Sequence, residues 1–198
     1  MKESRLRPPL TASDPTTAWR LETLADCTLA IAGFPRFSYD GRGGSGLGTL
    51  SAGVLRFDPK TLAIPSLDWR STRVLGLPLA PGVTIGIRTT ALAGSFDPGS
   101  GQLELQFSAV FRFSLSGLYR APDLHVDTRL SSSGVESQRH RISGRPLTPD
   151  GEGQLVGVAL VPPTGDRWLD RFLGLPDEAL AILRCRLTPQ QSCRVSSS

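Results

Sequence analysis

The sequence predicts an all-β fold, an antiparallel β-sandwich or wide β-barrel built of long hairpins, with one short helix near the C-terminus. Three observations carry that reading. Residues 83–118 repeat with period two, glycine and proline turns recur at short intervals, and a single stretch, 164–173, has helix start and stop signals. In the central stretch Leu103, Leu105, Phe107, Ala109, Phe111, Phe113 and Leu115 alternate with Glu104, Gln106, Ser108, Arg112 and Ser114, and only Val110 breaks the pattern. Successive side chains of a strand point to opposite faces, so this spacing gives one apolar and one wet face. Val83, Ile85, Ile87, Thr89 and Ala91 continue the period upstream, and Asp97-Pro98-Gly99-Ser100-Gly101 between them has hairpin chemistry.

The remaining elements follow in chain order. Residues 1–17, rich in proline, serine, threonine and charge, are expected to form a flexible arm, and residues 18–187 a single β domain. Residues 18–34 fit either a strand (Trp19, Leu21, Thr23) or a helix (Leu21, Leu24, Ala25, Thr28), and strand is favoured because a helix there would stand alone among sheets. The glycine-rich run 40–48 lacks the lysine and following helix of a phosphate cradle and reads as a connection. Residues 50–57 read as one strand, paired across Asp58-Pro59 with 62–69. A further hairpin is expected around Thr148-Pro149-Asp150-Gly151.

A strand of about 13 residues extends roughly 40 Å, so the central hairpin must coil, carry a bulge or wrap a barrel, with Val110 as the expected slip point. In the helix candidate Thr164 is placed to cap, Asp166 complements the positive N-terminus, and Gly174 with Pro176 ends it. Leu183, Cys185 and Leu187, alternating with Arg184 and Arg186, read as the last strand, and 188–198 as a disordered tail.

Composition narrows the function. No run approaches the roughly 18 apolar residues of a membrane span, and the first residues lack the apolar core of a secretory signal, so a soluble, cytoplasmic protein is expected. Three cysteines, Cys27, Cys185 and Cys193, without metal-like spacing fit a reducing compartment. The net charge of +4 is almost all arginine, but no basic block is interleaved with aromatics, which argues against nucleic acid as a partner.

Asp123, His125 and Asp127 alternate with Leu124, Val126 and Thr128, and on a strand would share one face. That is a candidate metal or acid–base set, although neighbours at i and i+2 lie about 7 Å apart. Arg139-His140-Arg141 is a candidate anion contact. No G-x-S-x-G or H-E-x-x-H motif occurs, so no catalytic residue is assigned, no cofactor is implied, and enzyme activity is disfavoured. The Leu/Pro-rich loops at 75–82 and 164–176 carry more information, because loops run over the surface and leucine there either folds under or makes contacts.

The leading expectation is a non-enzymatic binding or assembly module that meets a protein or membrane surface through Leu77, Leu79, Trp168 and Phe172 with Arg167 and Arg171. The first alternative is a β-barrel carrier of an apolar small molecule, a lipid or pigment. The second is a metal-assisted hydrolase using Asp123, His125 and Asp127.

The stretches 34–41, 75–81, 101–105, 119–126 and 155–159 together resemble a β-rich family of cyanobacteria and plastids that has no known activity. The resemblance spans roughly residues 30–187 and rests on turn and core patterns. It implies a cytosolic or stromal protein working near photosynthetic membranes, and carries no catalytic residue over to this chain.

Overall fold

The computed structural model describes residues 17–31 and 35–190. The rest of the expected arm and tail, and Cys193, lie outside them. Thr17, Thr188 and Pro189 already belong to strands.

Of the stretch at 18–34, residues 32–34 lie outside the described residues, and 18–31 are extended in two pieces: β1 (Thr17–Thr23) and β2 (Cys27–Ile31), broken where Asp26 takes a positive φ of 60°. Both pieces run antiparallel to the last strand, with Thr23 opposite Cys185 and Ile31 opposite Ala179, so they act as one bent ribbon. The bend is repeated outward, since β3 (Phe37–Tyr39) pairs with β2 and β4 (Ser45–Ser51) with β1.

Residues 50–57 are not one strand. β4 turns back at Ala52 and Gly53 into β5 (Val54–Phe57). Both turn residues have positive φ, 48° and 76°, the combination that matches the twist of a tight hairpin. Nor does 62–69 pair with that strand. Asp58 caps a short 3-10 turn, Pro59–Thr61, by accepting from the Lys60 amide, and the chain then crosses as a strap. Ala63 bridges to Ser45 and Leu67 to Ile85 along the way. β6 (Thr72–Val74) and β7 (Leu77–Pro78) extend the flap begun by β2 and β3.

The central hairpin forms as the period required. β8 (Val83–Asp97) and β9 (Gln102–Leu115) pair from Val83–Leu115 to Asp97–Gln102. The irregularity is a bulge on β8, between Thr89 and Ala91, and not at Val110, which pairs regularly with Arg88 and His125. Thr90 is the extra residue, and its hydroxyl donates to the Ser108 carbonyl at 3.0 Å. One inserted residue moves the inward face from odd to even positions, so Ile85, Ile87 and Thr89 give way to Leu92 and Phe96.

β10 (Tyr119–Arg120) returns along the end of β9, β11 (Leu124–Ser131) pairs along its length, and β12 (Gly134–Glu136) with β13 (Arg141–Ser143) forms a separate small hairpin. β14 (Glu152–Val161) and β15 (Asp177–Pro189) flank the helix α1 (Arg167–Leu173). The strands β1-β4-β5-β8-β9-β11-β14-β15 close into a ring through the β1–β15 pairing, which makes the long sheet a barrel without free edges along that path.

The cap of α1 is Asp166, which accepts from the amides of Trp168 and Leu169, and not Thr164, whose hydroxyl donates instead to Asp170 at 2.6 Å. Leu169 and Leu173, one turn apart, go into the barrel mouth and pack with Ile31, Leu124 and Val161. A second cluster, including Leu55, Phe96, Leu103 and Leu155, fills the opposite end.

Candidate functional site: an interior cavity and an apolar end

Between the two clusters the ladder of β14 and β15 places Gly157 opposite Ala181 and Ala159 opposite Ala179. All four face inward. Gly157 is required for a second reason: a Cβ there would lie 2.7 Å from the Arg129 carbonyl and 2.8 Å from a Leu130 methyl, where β11 approaches β14. Above and below this belt Val161 and Leu155 fill their positions fully. Four small residues between large ones leave the middle of the barrel hollow.

The resulting cavity has a volume of about 130 Å³ and a mainly apolar wall, which includes Leu29, Leu92, Phe107 and Phe111. Leu62, Ile64 and Pro65 of the strap form one side. An unfilled apolar space of this size costs roughly 3 kcal/mol, at about 24 cal/mol per Å³.

Its few polar groups differ in their partners. Thr128 donates to the Val158 carbonyl at 3.0 Å, and Thr23 donates to the Gly41 carbonyl. Asp40, at the rim, is gripped by Arg42, with Nε at 2.9 Å from Oδ1, and this guanidinium holds the carboxyl below its usual range. Burial raises the Tyr39 phenol, with Cys27 as its neighbour. Thr89 is the exception: its buried Oγ1, beside the bulge, has no hydrogen-bond partner. The two described cysteines are buried free thiols, and burial pushes Cys185 up to about 12 and Cys27 above its ordinary value, so neither is an activated nucleophile.

The second feature is the end of the barrel closed by α1. Val83 with Leu115 and Val161 with Asp177 mark this end by register, and the chain of pairs Ala179–Ile31, Leu29–Phe37 and Phe37–Val74 brings the turn at 75–76 to it as well. The two expected contact loops therefore meet at one end. Leu77 is 70% exposed, and Trp168 and Phe172 are exposed and stacked at 5.2 Å, with Tyr119 edge-on to Trp168 at 5.4 Å. Arg167 and Arg171 are exposed beside them.

Leu79 is a correction. It is only 8% exposed, because its amide donates to the Thr72 carbonyl and ties this residue beneath the flap. Leu75, in the expected contact loop at 75–82, is exposed at the same end, and sequence reasoning missed Leu115, Leu118 and Leu160 there. Leu160 was legible as an outward position of β14. Leu118, 92% exposed, was not, because it sits in a turn whose direction depends on the barrel.

The metal set is not assembled. His125 and Asp127 point outward between Leu124, Val126 and Thr128 as the alternation required, but Asp123 precedes the strand and is held by Arg112 at 2.9 and 3.0 Å. Among the described residues no group of three His, Cys, Asp or Glu side chains is placed to hold a metal ion. The i, i+2 spacing keeps these ligands apart, and Arg112 takes up the first of them. Arg139 pairs with Asp177 at 2.7 Å and Arg141 reaches Glu136 at 3.8 Å, so that run serves contacts within the chain. Glu104 and Glu152 pair separately, with Arg129 and Arg186.

Among the described residues no helix is long and apolar enough to cross a membrane. Comparison with protein-family models, curated proteins and solved structures found no match.

Proposed function

We propose that this chain is a non-enzymatic binding barrel whose ligand is a slender apolar molecule, a ring or short chain carrying one hydrogen-bonding group. The observation that carries the reading is the hollow opposite Thr89, walled by Gly157, Ala159, Ala179 and Ala181. Selection for stability alone favours larger side chains at the three alanines, since an unfilled apolar cavity is a standing loss. An apolar space of about 150 Å³ stays dry and takes up a benzene-sized molecule, and this one is of similar size. The unpartnered, fully buried Thr89 hydroxyl offers a polar contact that would fix a ligand's orientation.

The test is native mass spectrometry of the purified protein, with organic extraction, followed by calorimetric titration with the small neutral probe indole, which is close to benzene in size and carries one hydrogen-bonding group. A co-purifying apolar compound or saturable one-to-one probe binding is expected, with probe binding at least tenfold weaker in Ala159→Leu/Ala181→Leu. A protein that carries nothing and binds no probe would end this reading.

A further inference from the structure

We infer that the helix end of the barrel docks on the surface of an anionic lipid membrane. Ten large hydrophobic residues are exposed among the described residues, and seven of them, Leu75, Leu77, Leu115, Leu118, Leu160, Trp168 and Phe172, lie at this end. Leu47, Val54 and Trp69 are the three elsewhere. Apolar side chains scattered singly over a surface are ordinary, but their concentration on the turn tips and helix of one end is not.

Charge selects the partner. Arg73, Arg167 and Arg171 are exposed at this end and form no ion pair among the described residues, whereas the acids there are engaged within the chain. Asp123 is held by Arg112 and Asp177 by Arg139. Asp166, Asp170 and Glu178 keep their charge while accepting from Tyr119, Thr164 and Ser137. Arg36 and Arg120 are two further exposed guanidiniums at this end without an ion pair among the described residues, which leaves the face positive. The face left for a partner is therefore leucine and aromatic ring set among free guanidinium groups, the combination that enters the headgroup region of anionic bilayers.

The Tyr119, Trp168 and Phe172 rings add the amphipathic aromatics that favour that depth. A second copy of the chain fits less well, because a two-fold contact brings the same arginine-bearing patch against itself. The docking surface is on the outside of the barrel and is independent of the cavity reading.

The experiment is co-sedimentation of the full chain with vesicles of phosphatidylglycerol and phosphatidylcholine, and with vesicles of phosphatidylcholine alone, at low and high salt. Strong binding to the anionic vesicles is expected, falling at least tenfold in high salt or with Arg167→Glu/Arg171→Glu. A similar loss is expected for Leu75→Ser/Leu118→Ser, a variant that leaves the aromatic stack and the core in place. Ala159→Leu/Ala181→Leu, which fills the cavity, keeps vesicle binding, so failure of one reading is separable from failure of the other. Equal binding to both vesicle types would overturn the inference. So would binding to neither, whether the face then proves to join two copies by gel filtration or to take a protein partner, and so would variants that bind like the parent while melting at the same temperature.

Discussion

Ala159 and Ala179 face each other across the β14–β15 ladder, and Gly157 with Ala181 forms the next inward pair. Adding three carbons to Ala181 places them in empty space rather than against a neighbour. Ala181→Leu is therefore expected to leave stability unchanged or raise it by up to about 2 kcal/mol, at roughly 0.8 kcal/mol per buried methylene. Urea midpoints of the ligand-free protein check this. A loss of stability would mean that the belt is already filled.

Thr89 gives a sharper test, because Thr→Val replaces the unpartnered hydroxyl by a methyl of the same shape. The ligand-free protein is expected to gain on the order of 1 kcal/mol by losing a desolvated, unbonded group. Binding of a medium-chain alcohol should weaken while that of the matching hydrocarbon does not, as calorimetric titration of both probes would show. Equal effects on the two probes would remove Thr89 as the anchor.

The Tyr119 hydroxyl donates to Asp166 at 2.7 Å and joins β10 to the cap of α1. Burial, with the hydrogen bond to Asp166 second, raises Tyr119 to about 12, so the native state holds this proton more tightly than the unfolded chain. That contribution is complete below about pH 10 and is lost as pH rises toward 12. The bond from Tyr119 is also the main reason the Asp166 carboxyl lies below its ordinary 3.8, and that contribution is present above 3.8 and lost as pH falls. The stability difference between the parent and Tyr119→Phe should therefore be greatest between about pH 5 and pH 9 and shrink on either side. A pH series of urea melts reads it directly, and a flat difference would contradict the coupling.

Leu155 and Leu160 lie on the same strand, one fully buried and the other 75% exposed. Leu155→Ala is expected to cost about 2–5 kcal/mol, and Leu160→Ala about 0.5 kcal/mol or less. Denaturant titration of both separates the interior of the barrel from its outer face. Similar costs would contradict the assigned sides of β14.

Much of the fold was legible because strand period is a local property. Leu103 to Phe113 declared their side of β9 through their neighbours alone, and so did Leu183, Cys185 and Leu187 on β15. The turn at Asp97 was legible too, since Asp97 accepts from the Gly99 amide and the Ser100 hydroxyl within four residues. The misread turn at Ala52–Gly53 lacked a proline or asparagine signal, and its positive φ values are imposed by the pairing of β4 with β5.

The sequence by itself determined an antiparallel all-β chain with its apolar and wet faces assigned, because each side chain's face follows from its immediate neighbours. Only the tertiary structure decided that the sheet closes on itself through β1 and β15, that Thr90 bulges and hands the inward face from Thr89 to Leu92, and that the loops at 75 and 168 share one end. Closure and the shared end depend on pairings between residues more than a hundred positions apart, such as Thr23 with Cys185 and Ile31 with Ala179, and the bulge on how β8 meets β9. The hollow is of the same kind: Gly157 and Ala159 are unremarkable in sequence, and become a cavity wall only when register sets Ala181 and Ala179 against them.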